Sequence, residues 1–230
     1  MVVSQVGEYL DLEKDGIAKI QQIVPVIVKH LTHAHAKVRY AAGHALGQIA
    51  DDMRPEFQEN FHEVVMPGMF QLLSDPVPRV VAHAGGCLAN IIEGMSKGVV
   101  GNYSEQFLGR FLALLQDESS CSLIKEGAAA SITSIAQAAE EDFAPYFKDM
   151  MNMLLPAIAN MNTKALTNLR GHCIEGISMM MKGVGKGPSS AYIENTVTVL
   201  NALVEQPMDE ADMTRQFIFS AWGRICRVFG

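Results

Sequence analysis

Residues 37–50 read KVRYAAGHALGQIA, and the same arrangement returns at 79–92 as RVVAHAGGCLANII and at 123–136 as LIKEGAAASITSIA. In each, an apolar residue is followed by a small one four positions on, then by aliphatics at +8 and +11. The stripes are Val38, Ala42, Leu46, Ile49; Val80, Ala84, Leu88, Ile91; and Ile124, Ala128, Ile132, Ile135. A weaker fourth copy lies in ALTNLRGHCIEGIS (165–178), with Leu166, Arg170, Ile174 and Ile177, and a fifth in FIFSAWGRIC (217–226), with Trp222 and Ile225. Steps of 4, 4 and 3 place one stripe on one face of an α-helix. From Leu46 through Leu88, Ile132 and Ile174 to Trp222 the copies step by 42, 44, 42 and 48 residues.

Each striped helix, termed B, is preceded by the pattern of a second helix, A. VPVIVKHL (24–31) and MPGMFQLL (66–73) show it, with Pro25 and Pro67 at equivalent places. A proline within a helix removes one hydrogen bond and bends it. Turns rich in Pro, Asp and Ser separate A from B: THAHAK, SDPVPR and DESS. Small residues crowd the B helices, among them Gly43, Gly47, Gly85, Gly86 and Gly127. Each glycine costs an isolated helix about 1 kcal/mol, so close helix stacking must offset it. A helix–turn–helix unit of this length falls in the HEAT and armadillo range. There is no room for the extra short helix of an armadillo unit. One pair cannot bury both its faces, so the pairs stack into a solenoid. The fold expected is all-α: a HEAT-repeat solenoid of antiparallel helix pairs at roughly 17–53, 54–98, 102–140, 142–186 and 189–230. Residues 1–16 would be an N-terminal edge or the tail of an earlier repeat. The C-terminal run stops inside an apolar B helix without a polar cap, as expected of a fragment of a longer array.

Composition agrees. Of 230 residues 49% are apolar and 7% aromatic, fourteen are Met, and the net charge is −7. Met-rich surfaces adapt to varied partners. The acidic balance speaks against nucleic acid and for basic partners. The four Cys (87, 121, 173, 226) form no CxxC, so neither a disulfide framework nor a zinc pattern is expected. No basic–apolar leader opens the chain and no run suits a membrane span.

The stretch 33–62, HAHAKVRYAAGHALGQIADDMRPEFQENFH, resembles the importin-β (karyopherin-β) superfamily and is most similar to its importin-five branch. The pieces 78–93, 138–156, 169–186 and 220–230 echo that branch in the same order, so the likeness covers about 17–230. The resemblance implies a nuclear transport receptor, shuttling between cytoplasm and nucleus through the pore. Such a receptor holds basic localisation signals of protein cargo on its concave surface. In the full-length receptor it also binds Phe-Gly nucleoporins and the Ran GTPase. The chain departs from the family's small-residue columns at Gly43 and His44, at Gly85 and Gly86, and at Arg170.

Equivalent positions on the B helices form columns: Gln48, Asn90, Ser134, Gly176, and then Asp51, Glu93, Gln137, Met179. Amides can hold a peptide backbone and carboxylates its Lys or Arg. The candidate binding residues are therefore Gln48, Asp51, Asp52, Asn90, Glu93 and Glu175, against the plainer reading of solvated helix ends. Glu140, Glu141 and Asp142 read as acids favouring the start of the next A helix. Asp209, Glu210 and Asp212 read as a solvated connection. Arg39 and Asp75 read as a structural ladder, and Trp222, Phe217 and Phe219 as packing.

No catalytic or metal motif is expected. His30, His33 and His35 cluster without HExxH, and the single pair His62-Glu63 is one copy of what the HEAT-fold di-iron hydroxylases use several times. KGVGKGPSS (182–190) lacks the phosphate-loop pattern and any preceding strand. Neither catalytic residues nor cofactors are assigned, which makes the chain a non-enzymatic binding scaffold. The alternative is a scaffold of the phosphatase-regulatory-subunit kind, which holds other subunits through its inter-repeat loops.

Overall fold

The computed structural model describes residues 16–206 and 212–230. Ten long helices form five antiparallel pairs among them. The A helices are α1 (Gly16–His30), α3 (Glu56–Leu72), α5 (Lys97–Gln116), α7 (Ala144–Asn160) and α9 (Ile193–Val204). The B helices are α2 (Ala36–Asp52), α4 (Pro78–Glu93), α6 (Ser122–Ala139), α8 (Thr167–Val184) and α10 (Thr214–Phe229). Short 3-10 turns, Glu140–Phe143 and Lys164–Leu166, lead into α7 and α8, and one helical turn, Lys186–Ser189, precedes α9. No described residue is in a strand, as expected for a HEAT solenoid.

One apolar core runs through all five pairs, from Ile20 to Ile225. The three strong stripes supply it: Leu46, Ile49, Leu88, Ile91, Ile132 and Ile135 are at most 1% exposed. Full burial of such a side chain stabilises the fold by roughly 1.5–3 kcal/mol. Consecutive B helices pack along most of their length, whereas consecutive A helices touch at few places. The B side is therefore the short, inner side of the stack.

Glycine makes that closeness possible. A Cβ on Gly47 would stand 2.7 Å from Cys87 Cβ, and one on Gly85 2.9 Å from the Gly127 carbonyl carbon. Prolines lie within three A helices, at Pro25, Pro67 and Pro156. They fall on the side where stacking is loosest.

The fourth repeat differs from its expected register. Leu166 lies in the 3-10 turn and is half-buried, and Leu169 is the buried residue instead. Arg170 does not merely replace a small residue. It is the fourth residue of α8, as Arg39 is of α2, and does the same work. Arg39 pairs with Asp75 of the next repeat through Nε (2.5 Å) and Nη2 (2.8 Å). It also donates to the His33 and Ala34 carbonyls of its own turn. Arg170 pairs with Asp212 (2.8 Å), again in the next repeat, and donates to the Met161 carbonyl (2.9 Å). Arg39 and Asp75 are thus structural, as expected, and Asp212 belongs to such a clamp rather than to a solvated connection. Asp209 and Glu210 lie outside the described residues.

Two members of the other acidic group are also paired. Lys97 of α5 bridges Glu141 and Asp142 ahead of α7. Trp222 and Phe217 are half-buried against the core, but Phe219 is 70% exposed and is not packing.

Candidate functional site

The polar residues of the first two B helices converge at their C-terminal ends. Asp51 and Asp52 close α2, and Glu93 is the last residue of α4. Carboxylates at a helix C-terminus oppose the helix dipole, and neither last turn holds a basic residue. Arg54, in the turn after α2, supplies the missing positive charge. Its Nη2 pairs with Asp51, and its Nη1 lies 2.9 Å from a Glu93 carboxylate oxygen. One guanidinium thus joins the ends of two neighbouring B helices. All three of these side chains are about one-third exposed, so the group is reachable from solvent.

Gln48, one turn before Asp52, donates from Nε2 to the Asp52 carboxylate (2.9 Å). The second Asp52 oxygen is buried and has no partner among the described residues. Asn90 lies one turn before Glu93 on the same face and is half-buried. Three carboxylates and two amides therefore share this corner with a single arginine.

Glu175 is not part of it. It lies on α8, two B helices further along, and its carboxylate takes Arg224 of α10 at 3.2 Å. Arg224 also donates to Ser178 Oγ (3.1 Å), which itself donates to the Glu175 carbonyl (2.9 Å). On α6, between the two acidic positions, Ser134 is buried and Gln137 is exposed. The column expected as one polar strip is two acidic stations separated by a neutral, small-residue stretch.

Sequence reasoning missed Arg54 and Arg224. The first leaves a trace, because Asp51 and Arg54 stand three residues apart at a helix end. The second leaves none, since Arg224 and Glu175 are 49 residues apart and meet only through helix stacking.

A family model described as importin subunit beta-1-like, TPR repeats, matches residues 82–230, and a HEAT-repeat model matches 23–53. Importin subunit beta-3 of Saccharomyces cerevisiae is 31% identical over 93% of this chain and 20% of its own length. The probable importin subunit beta-4 of Schizosaccharomyces pombe is 27% identical over 97% of this chain and 21% of its own. The crystal structure of Kap121p superposes with a TM-score of 0.84 at 29% identity, over 93% of this chain and 20% of that one. The chain spans about one-fifth of these relatives' length. With a matching family model over well more than half its residues, the chain belongs to the importin-β family.

Proposed function

We propose that this chain is a segment of a nuclear transport receptor that binds extended basic peptides on its B-helix face. Gln48, Asp51, Asp52, Asn90 and Glu93 form one station and Glu175 a second. The observation that carries this reading is the corner where three carboxylates meet one guanidinium. Asp51, Asp52 and Glu93 keep an excess of negative charge there, and an incoming lysine can replace Arg54 as counter-ion. The amides of Gln48 and Asn90 flank the acids, within reach of a peptide backbone. The spacing adds support. Kap121p has been solved as a variant with two aspartates and a glutamate changed to lysine, about one repeat apart along that chain. It has also been solved bound to Pho4p and to Nup53p. Asp51 and Glu93 are likewise one repeat apart.

On this reading the full-length receptor moves between cytoplasm and nucleus and engages Ran and Phe-Gly nucleoporins through other repeats. The chain acts by binding and not by catalysis. The test is binding of a fluorescent lysine-rich peptide over a salt series, with the Asp51→Ala/Glu93→Ala/Glu175→Ala variant beside the parent chain. Exposed ion pairs contribute up to about 1 kcal/mol each, so the triple variant should bind roughly ten- to a hundredfold more weakly. Binding should also weaken with salt. A variant that binds as well as the parent refutes these residues as the site. No binding by either chain favours the loop-scaffold alternative.

A further inference from the structure

Three side chains that the peptide site does not use meet where α2 packs on α4. They are His44 of α2 and His83 and Cys87 of α4. The ligand atoms of all three lie within 4.8 Å of one another. His83 and Cys87 are four residues apart and share one helix face. His44 comes from the adjoining B helix, brought near because Gly47 lets Cys87 sit against the α2 backbone.

From this geometry we infer that His44, His83 and Cys87 form a binding site for one thiophilic transition-metal ion, with copper(I) the best match.

Four features support it. Metal–nitrogen and metal–sulfur bonds of roughly 2.0–2.3 Å hold the donors of one ion about 3.5–4 Å apart, so small side-chain rotations complete the set. His83 Nε2 is buried with no hydrogen-bond partner among the described residues. An orphaned buried nitrogen is costly, and a metal bond satisfies it. His83 is also held in place: Tyr40 stacks on it at 4.0 Å between ring centroids, and His44 lies at 5.1 Å. Finally, a cleft of about 550 Å³ lined by Tyr40, Arg79, His83 and Cys121 opens beside His83.

The charge balance selects the ion. Cys87 is a buried free cysteine, and such a thiol is protonated when the site is empty. Binding forms the sulfur–metal bond, breaks the S–H bond and releases one proton to solvent, with no electron transferred. A thiolate, two neutral imidazoles and copper(I) sum to zero charge, whereas zinc(II) leaves one positive charge beside Arg79. A buried site favours the neutral complex, and thiolate with imidazole suits soft copper(I).

The test is anaerobic titration of the reduced chain with copper(I) against a chromophoric copper(I) chelator, with a parallel zinc(II) titration. The expected result is one tight equivalent of copper(I). Cys87→Ser and His83→Ala should each weaken it at least a hundredfold, and the exposed-cysteine variant Cys226→Ser should leave it unchanged. Thermal melts of each variant check folding, and the half-exposed His44→Gln serves if Cys87→Ser fails to fold. Full-strength binding in His83→Ala or His44→Gln overturns the site. So does loss of binding only in the exposed-cysteine variant, or tight binding of zinc(II) without copper(I).

Discussion

The first and last junctions of the stack differ from the central one between repeats two and three. Repeats one and two are joined by Arg39 and Asp75, and repeats four and five by Arg170 and Asp212. At the junction of repeats two and three the aspartate is kept, as Asp117, but the arginine is not. Val81 stands one repeat on from Arg39, and Asp117 is satisfied by Ser119 and Ser120 of its own loop. Close contact replaces the clamp there. Gly85 and Gly127 pass backbone to backbone, and Ser131 Oγ donates to the Gly85 carbonyl at 2.7 Å. The ion-paired junctions need two long side chains to be ordered, and the central one needs side chains to be absent. A repeat array can thus hold its pitch by either means.

The sharpest way to break this contrast is Arg170→Met. It strands Asp212 and the Met161 carbonyl in a partly buried place. Removing one partner of a buried pair costs about 3–5 kcal/mol, and the expected loss is near 3 because Thr214 still donates to Asp212. Chemical denaturation should show the C-terminal repeats melting first.

Next comes Gly127→Val at the central junction, with an expected cost of about 1–3 kcal/mol from overpacking. An unchanged midpoint in that variant would mean that close approach does not govern this junction. Ser131→Ala is the milder probe of the same place. It should cost about 1 kcal/mol, a typical hydrogen bond.

Acid titration separates the mechanisms further. The Arg39 hydrogen bond holds Asp75 below the usual carboxylate range, despite its burial. A depressed carboxylate contributes stability above its unfolded pKa and loses it as pH falls through the folded value, so this loss comes below about pH 4. His83 is depressed as well, chiefly by burial. Its unfolded form takes up protons first, so its contribution fades as pH falls from about 6.5 towards 4. Asp75→Asn should remove the lower step and His83→Phe the upper one in melting temperatures followed against pH. The smallest effect is expected for Arg54→Ala. Its pairs are about one-third exposed and contribute at most about 1 kcal/mol.

The fold was legible because one physical demand repeats five times: each B helix must present an apolar stripe and small flanks to its neighbours. Val38 to Ile49 states that demand, and every later copy is a variation. Arg170 was misread because the 3-10 turn before α8 shifts the register, which a fixed-period alignment cannot register. The acids of the candidate site were legible as a column, since helix periodicity assigns faces. Their counter-ions were not, because Arg54 sits between elements and Arg224 a full repeat away. His44, His83 and Cys87 escaped for the same reason, with one member on a different helix from the other two.

The uneven stacking has a mechanical consequence. Where B helices meet at glycine, their backbones are in contact and cannot be pressed closer. The A helices, more loosely stacked and carrying Pro25, Pro67 and Pro156 within them, can open or close against one another. When such a beam flexes, its line of constant length runs along the B side. Curvature can then change the outer rim while the distance between the two acidic stations, at Glu93 and at Glu175, holds, so they behave as marks on a ruler that bends without stretching.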